Sequence, residues 1–235
     1  MIRIRLSEEV FIYDIHSLAK AFYQDEDIHV VLEEETGEDF SGFEVCYSES
    51  FLTVGKTENG IVKKSRRAVT DGLKRPEIKN VLKQQLYLLF SEETGKQLPW
   101  GTLTGIRPTK IPTGMLREGK DDKEITAYMQ GTYFTSNEKT ALCIEIAKRE
   151  QKILAKLHGT DGFSIYIGIP FCPSTCLYCS FTSYPIAAWA DRIGEYLAAL
   201  KKEIDFVSDV YREKILDTVY IGGGTTTAGY PFYTF

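Results

Sequence analysis

Thiols and imidazoles are scarce in this chain, with five cysteines and three histidines among 235 residues. An odd, sparse cysteine count disfavours a disulfide framework and suits a reducing compartment in which clustered thiols bind metal. Long apolar runs are missing too. No stretch approaches the ~18 consecutive apolar residues of a membrane span. Met1-Ile2-Arg3-Ile4-Arg5 opens a short strand instead of a charged head before an apolar signal core. The expected location is the cytoplasm, with no membrane span. Excess positive charge is also absent, and a net charge of -5 argues against a dedicated nucleic-acid binder, whose affinity comes mostly from phosphate neutralisation. What is present is a 43% hydrophobic content, enough to bury a core in one large domain or two ordinary ones.

The first hundred residues alternate between two periodicities. Ile2 to Leu6, Ile28 to Leu32, Phe43 to Tyr47 and Phe51 to Gly55 read as strands. Tyr13 to Tyr23 places Ile15, Leu18, Ala19 and Phe22 on one helical face, and a second helix from about Glu77 to Phe90 does the same with Ile78, Leu82, Leu86 and Leu89. Together they predict a small α+β domain over residues 1–100, closed near Gly95 and Pro99-Trp100-Gly101. "KKSRR" at Lys63 to Arg67 reads as a solvated basic turn. Residues 101–160 read as a connector: a loop-rich part from Gly101 to Gly119, with Arg107 and Lys110 in structural roles or, alternatively, in contact with a substrate carboxylate, then a helix opened by Ser136. That helix is expected to carry Leu142, Cys143, Ile146, Ala147, Ile153 and Leu154 on one stripe, ended by Gly159 and Gly162.

Residues 161–235 follow another rhythm. Phe163 to Ile169 reads as an apolar strand of the buried type, Trp189 to Val210 as a helix presenting Ile193, Tyr196, Leu197, Leu200, Ile204 and Val207, and Leu216 to Ile221 as a second apolar strand. Strand, loop, helix, strand, loop is the βαβ pattern of an α/β fold, whose chemistry sits at the C-terminal ends of parallel strands. Both unusual motifs of the chain lie there.

The first motif is "IPFCPSTCLYCSF", which sets Cys172, Cys176 and Cys179 within eight residues. Cysteine thiolates hold iron-sulfur clusters, and three of them on a four-iron cluster leave one iron open for a small molecule. Structural zinc is the rival, but it takes four ligands and the nearest histidine, His158, precedes the strand. Pro170, Pro173, Ser174 and Thr175 mark an exposed loop, where core thiols have no packing reason to gather. Cys46 and Cys143, by contrast, read as core residues. The second motif, Gly222-Gly223-Gly224-Thr225, allows close backbone approach and lacks the spacing of a nucleotide-hydrolysing phosphate loop.

The C-x3-C-x2-C spacing, with Tyr178 before the last cysteine, resembles the radical S-adenosylmethionine superfamily. The strings "YIGIPFCPSTCLYC", "YIGGGT" and "LTGIRPTK" are similar to its oxygen-independent coproporphyrinogen III oxidase (coproporphyrinogen dehydrogenase) branch. The resemblance implies a core of about six βα units curled into a partial barrel. It implies that Cys172, Cys176 and Cys179 ligate a 4Fe-4S cluster whose open iron chelates S-adenosyl-L-methionine, giving a 5'-deoxyadenosyl radical after one-electron reduction. Tyr178 would pack beside the adenine, Tyr166 would contact the cofactor near the cluster, Gly222, Gly223 and Gly224 would approach the methionine moiety, and Thr225 would fix that turn. The implied enzyme is an oxidoreductase of porphyrin and haem biosynthesis, with a porphyrinogen or other tetrapyrrole as substrate and an electron donor such as flavodoxin or ferredoxin. The alternatives on the same core are another radical reaction, such as methyl transfer, and a haem- or cluster-binding protein without oxidase activity.

The chain departs from the branch at Gly168, where the oxidases carry histidine, and at Thr226, where they carry proline before an ending unlike "AGYPFYTF". With only two strands of the expected barrel before Phe235, it is expected to be the N-terminal part of a longer protein, truncated after its second barrel strand and inactive by itself.

Overall fold

The computed structural model describes residues 1–105 and 107–225; Thr226 and the sequence after it, where the second departure falls, lie outside the described residues. The architecture is mixed α/β, and the chain divides into two compact units, Met1–Gln151 and Lys152–Phe235.

The first unit is built on a five-stranded sheet of β1 (Ile2–Leu6), β2 (Ile28–Leu32), β3 (Gly42–Tyr47), β4 (Phe51–Glu58) and β5 (Ile61–Val69), in spatial order β2-β1-β3-β4-β5. β1 runs parallel to both neighbours, while β3, β4 and β5 form an antiparallel meander. Alternation along β1 decides which face is covered. Ile4 and Leu6 are fully buried under the helices α1 (Ile12–Phe22) and α2 (Arg75–Thr94). Arg3 and Arg5 lie over the Phe40 ring, 5.1 and 4.6 Å from its centroid. The helices bury the faces their periodicity predicted: Ile15, Leu18, Ala19 and Phe22 from α1, and Leu82, Leu86 and Leu89 from α2. An aromatic knot of Phe22, Phe43, Tyr87 and Phe90 closes this core, with Phe43 edge-on to Phe90 at 4.8 Å. Emptying the Phe90 site by truncation to alanine costs about 3–5 kcal/mol.

Four expectations are corrected in this unit. Lys63 to Arg67 lie in the edge strand β5 and not in a turn; its charges face solvent, Arg67 lies over the Phe51 ring, and Lys64 and Arg66 pair with Glu93 and Glu92 of α2. The Gly101–Gly119 connector contains a helix, α3 (Lys110–Arg117), and a further helix α4 (Asp122–Tyr133) follows it. On α5 (Asn137–Leu154) the buried stripe is Thr140, Cys143, Ile144 and Ala147, whereas Leu142, Ile153 and Leu154 are exposed, and the helix ends before Gly159. Cys46 is exposed, because on β3 it alternates with the buried Val45, while Cys143 is buried as expected. Arg107 has a structural partner in Glu150 at 3.4 Å. The connector is tied to the end of α4 by Gly101, at φ 56°, where a Cβ would stand 1.9 Å from the Tyr133 carbonyl oxygen; Thr102 donates its N–H to that same oxygen at 2.7 Å.

In the second unit β6 (Gly162–Ile169) pairs in parallel with β9 (Ile215–Gly223), and α7 (Ile193–Val210) lies between them in sequence. Two short strands, β7 (Phe171–Cys172) and β8 (Tyr184–Pro185), pair with each other, and the single turn α6 (Ile186–Trp189) follows. The helix expected from Trp189 thus begins at Ile193, preceded by α6 and a tight turn at Ala190–Arg192. Its stripe of Tyr196, Leu197, Leu200, Ile204 and Val207 is half-buried. The buried character read into Phe163 to Ile169 is reached only at Ile169. A parallel pair covered by one helix leaves its other face open, and a cavity of about 270 Å³ remains between β6 and α7. Among the described residues no helix is long and apolar enough to cross a membrane.

Candidate functional site

Parallel pairing brings the two motifs to the same end of the β6–β9 pair. The register runs from Phe163↔Leu216, through one irregularity, to Gly168↔Gly222 and Ile169↔Gly223. The chain leaving β6 enters the cysteine loop, and the chain leaving β9 enters the glycine turn. They stay in contact beyond the ladder: Gly224 donates its N–H to the Ile169 carbonyl, and Thr225 donates its N–H to the Phe171 carbonyl at 2.9 Å. Only glycine permits this approach. Gly223 sits at φ 100°, and a Cβ on Gly224 would stand 2.3 Å from the Phe171 carbonyl oxygen and 2.7 Å from that of Ile169.

The thiol loop leaves through β7 and returns through β8, with Phe171 in register with Tyr184. Tyr184 donates its N–H to the Pro170 carbonyl at 2.8 Å, which closes the loop at its base. At the tip a turn is held by the Cys179 N–H on the Cys176 carbonyl at 3.0 Å. Cys176 is exposed, and Cys172 and Cys179 are half-buried. Leu177, Tyr178 and Phe181 stand in solvent around them.

Cys172 is the point at which the motifs touch. Hydrogen bonds from the Ser183 hydroxyl, and then from the Thr225 hydroxyl and backbone, hold its thiol below the ordinary pKa, because they favour the thiolate. The thiolate is the metal-binding form of cysteine, and hydrogen bonds of this kind orient metal ligands. The donor chemistry of the loop therefore fits an iron-sulfur group. The sulfurs themselves stand apart: among the described residues no three His, Cys, Asp or Glu side chains are gathered closely enough to hold a metal ion.

Tyr166 is exposed and stacks on Tyr220, its register partner, at 5.3 Å with the rings 18° from parallel. The stack leans over the paired glycines. A Cβ on Gly168 would stand 3.3 Å from Cε1 of Tyr166, and one on Gly222 would stand 2.4 Å from Cε1 of Tyr220. Below it Tyr196 of α7 donates its hydroxyl to the Gly168 carbonyl at 2.8 Å and meets Phe171 edge-on at 5.1 Å. The structure thus brings together Cys172, Gly223, Gly224 and Thr225, and it leaves Tyr178 at the loop tip, 90% exposed. Ser183 and Tyr220 were missed from the sequence, and Tyr196 was read there only as part of the α7 stripe. For Tyr220 a signal existed, since Tyr166-Ile167-Gly168 and Tyr220-Ile221-Gly222 are the same tripeptide at the ends of two strands.

Part of the chain is similar to known proteins. The chain is 37% identical over 155 residues to the oxygen-independent coproporphyrinogen-III oxidase-like protein HemZ of Bacillus subtilis strain 168, covering 65% of this chain and 31% of that protein. This chain is similar to oxygen-independent coproporphyrinogen III oxidase-like proteins. It also shares 40% identity over 65 residues with the oxygen-independent coproporphyrinogen III oxidase of Pseudomonas aeruginosa, covering 27% of this chain and 14% of that one. With the heme chaperone HemW of Bacillus subtilis strain 168 it shares 42% over 65 residues, 28% of this chain and 17% of the chaperone. The chain therefore spans about a third of the length of the first of these relatives and less of the others. No family model and no solved structure matches it.

Proposed function

We propose that this chain carries the cluster loop and part of the cofactor cradle of a radical S-adenosylmethionine oxidoreductase acting on a tetrapyrrole in the cytoplasm, of the coproporphyrinogen III dehydrogenase type. The observation that supports it most is the contact at Cys172, where the thiol loop and the glycine turn, far apart in sequence, share hydrogen bonds through Thr225. In this reading Cys172, Cys176 and Cys179 hold a 4Fe-4S cluster. When bound, the cluster supplies the electron that cleaves S-adenosylmethionine, drawn from a flavodoxin or ferredoxin.

The chain's own part is positioning. Hydrogen bonds from Ser183 and Thr225 favour the thiolate of Cys172, the form that binds metal. Gly223 and Gly224 hold the second strand end against the first, leaving backbone in place of side chains where a cofactor would lie. Tyr178 offers an aromatic face for the adenine, and Tyr166, fixed by its stack on Tyr220, borders the same sheet end. Anaerobic reconstitution with iron and sulfide tests the assignment. The chain is expected to load a 4Fe-4S cluster with its characteristic absorbance, and alanine at Cys172, Cys176 or Cys179 to abolish it, while alanine at the exposed Cys46 leaves iron content unchanged. Equal iron in the triple variant would sink the reading.

A second reading, a protein that holds a tetrapyrrole without decarboxylating it, draws on Gly168, which offers no side chain to hold or move a proton and lies under the Tyr166 ring. Titration with haem, set beside an S-adenosylmethionine cleavage assay, separates the two: haem binding without cleavage favours the second.

A further inference from the structure

Away from the thiol loop, the first unit contains a cavity of about 400 Å³ bordered by α1, α2, the Thr102–Gly105 segment and the end of α4. Its volume falls in the ~300–1,000 Å³ range of small-molecule sites. Lys83 lies in its wall, on the helix whose neighbouring positions Leu82 and Leu86 fill the core, and is only 7% exposed. An ammonium that deep loses several kcal/mol of hydration unless an anion faces it. Among the described residues its Nζ donates to a neutral partner, Thr104 Oγ1, at 3.1 Å. The carboxylate facing it, Asp14, has Oδ1 4.0 Å away, beyond hydrogen-bond reach, and the same oxygen lies 3.7 Å from Lys79 Nζ. One carboxylate thus serves two ammonium groups, and the cavity keeps one net positive charge. Burial also pulls the Lys83 pKa down, as expected of an ammonium short of counter-charge.

The rest of the lining is not that of an ion-pair surface. Leu103 and Ile111 supply an apolar wall. Tyr133, whose hydroxyl shares hydrogen bonds with Tyr128 and Asn80, has its phenol pushed up to about 12, chiefly by burial, and stays neutral. We propose that this cavity binds a small organic monocarboxylate, its carboxylate bridging Lys83 and Lys79 beside Thr104 and its apolar body against Leu103 and Ile111. A single net charge suits a monoanion better than the dianion of a phosphate, and the apolar wall suits an aliphatic or aromatic body. The proposal does not depend on the reading of the thiol loop.

Calorimetric titration of the 235-residue chain with benzoate, benzamide and inorganic phosphate tests it. Benzoate is expected to bind saturably at one site, with the neutral benzamide at least ~10-fold weaker, since a hydrogen bond to a charged group is worth ~1.5–3 kcal/mol. Phosphate is expected to be weaker than benzoate. Lys83→Met should weaken benzoate about tenfold or more, and Thr104→Val, which leaves the charges in place, several-fold, with melting curves confirming the fold of both. Should Lys83→Met fail to fold, Lys79→Met takes its place with the same expected loss. Absence of saturable benzoate binding, equal affinity for benzamide, tighter binding of phosphate, or full affinity in the folded variants would each overturn the proposal.

Discussion

A methyl group separates the two glycines that show what single atoms do in this chain. At Gly224 a Cβ would meet two carbonyl oxygens, of Phe171 and Ile169, at 2.3 and 2.7 Å, and neither belongs to a flexible side chain that could move aside. Gly224→Ala must therefore push the β9 end away from β7, taking Thr225 from Cys172. Losing such an outer hydrogen bond weakens metal retention by about 10–100-fold, so the alanine variant is expected to hold its reconstituted iron at least ~10-fold less tightly under chelator challenge. Retention equal to the parent chain would show that the turn plays no part in the site. Gly131, within α4, has nothing within 4 Å of the corresponding position. There alanine only restricts the unfolded chain and improves helix propensity, so Gly131→Ala is expected to stabilise by about 0.5–1 kcal/mol, read as a higher melting temperature.

Elements whose periodicity is set by a buried face were the ones legible in the sequence. β1, β2, α1 and α2 fell within a few residues of where the apolar spacing puts them, and the four buried residues of α1 were all anticipated. α4 was missed although Asp121 and Glu124 cap it reciprocally, at 2.8 and 2.9 Å, because its buried residues, Ile125 and Met129, are too few to set a stripe. β5 was missed because Lys63 to Arg67 set five polar side chains in a row, which leaves no apolar alternation to read. The meeting of Ser183 with Cys172 leaves no local pattern at all, since it depends on a two-residue parallel ladder. At the opposite end of the β6–β9 pair lies a contact of the same long-range kind: the His158 N–H and ring Nδ1 both bond the Asp217 carboxylate, the ring at 2.6 Å. The side-chain bond first, then the backbone bond, holds the Asp217 pKa below the usual carboxylate range. A depressed folded-state pKa contributes stability above the unfolded value of about 3.9 and loses it as pH falls through the folded value. Asp217→Asn is therefore expected to lower the denaturation midpoint of the second unit at neutral pH. The gap from the parent should close as pH drops below about 4. A pH-independent gap would mean that the carboxylate's charge is not what the pair uses.

The whole molecule distributes its apolar burial unevenly. The first unit encloses one core of Ile4, Leu18, Phe22, Leu86, Phe90 and their neighbours, and a second around Ile125, Met129, Cys143 and Ile144. Among the described residues of the second unit the buried apolar side chains are Ile169, Phe171 and Ile193, while Tyr166, Val219, Tyr220 and Ile221 are more than half exposed. A two-stranded sheet is marginal without a covered face, and local opening is easiest where few apolar contacts must be broken. Amides of β6 and β9 are thus expected to exchange with solvent at least ~100-fold faster than those of β1, β3 and β4, a difference of about 2.7 kcal/mol in opening free energy. Loading iron and sulfide should slow exchange at the ends of β6 and β9 and in the Cys172–Ser183 loop. A ligand that binds only the ordered form stabilises it by mass action, and the loop, the glycine turn and the strand ends share one set of hydrogen bonds. Among the described residues β1 to β5 take no part in that set of hydrogen bonds, and their rates are expected to stay the same. Protection of β6 and β9 equal to that of β1 before loading would contradict the uneven packing. A loaded chain in which the loop gains protection but the ends of β6 and β9 do not would separate the cluster from the glycine turn, and remove the structural basis for placing a cofactor between them.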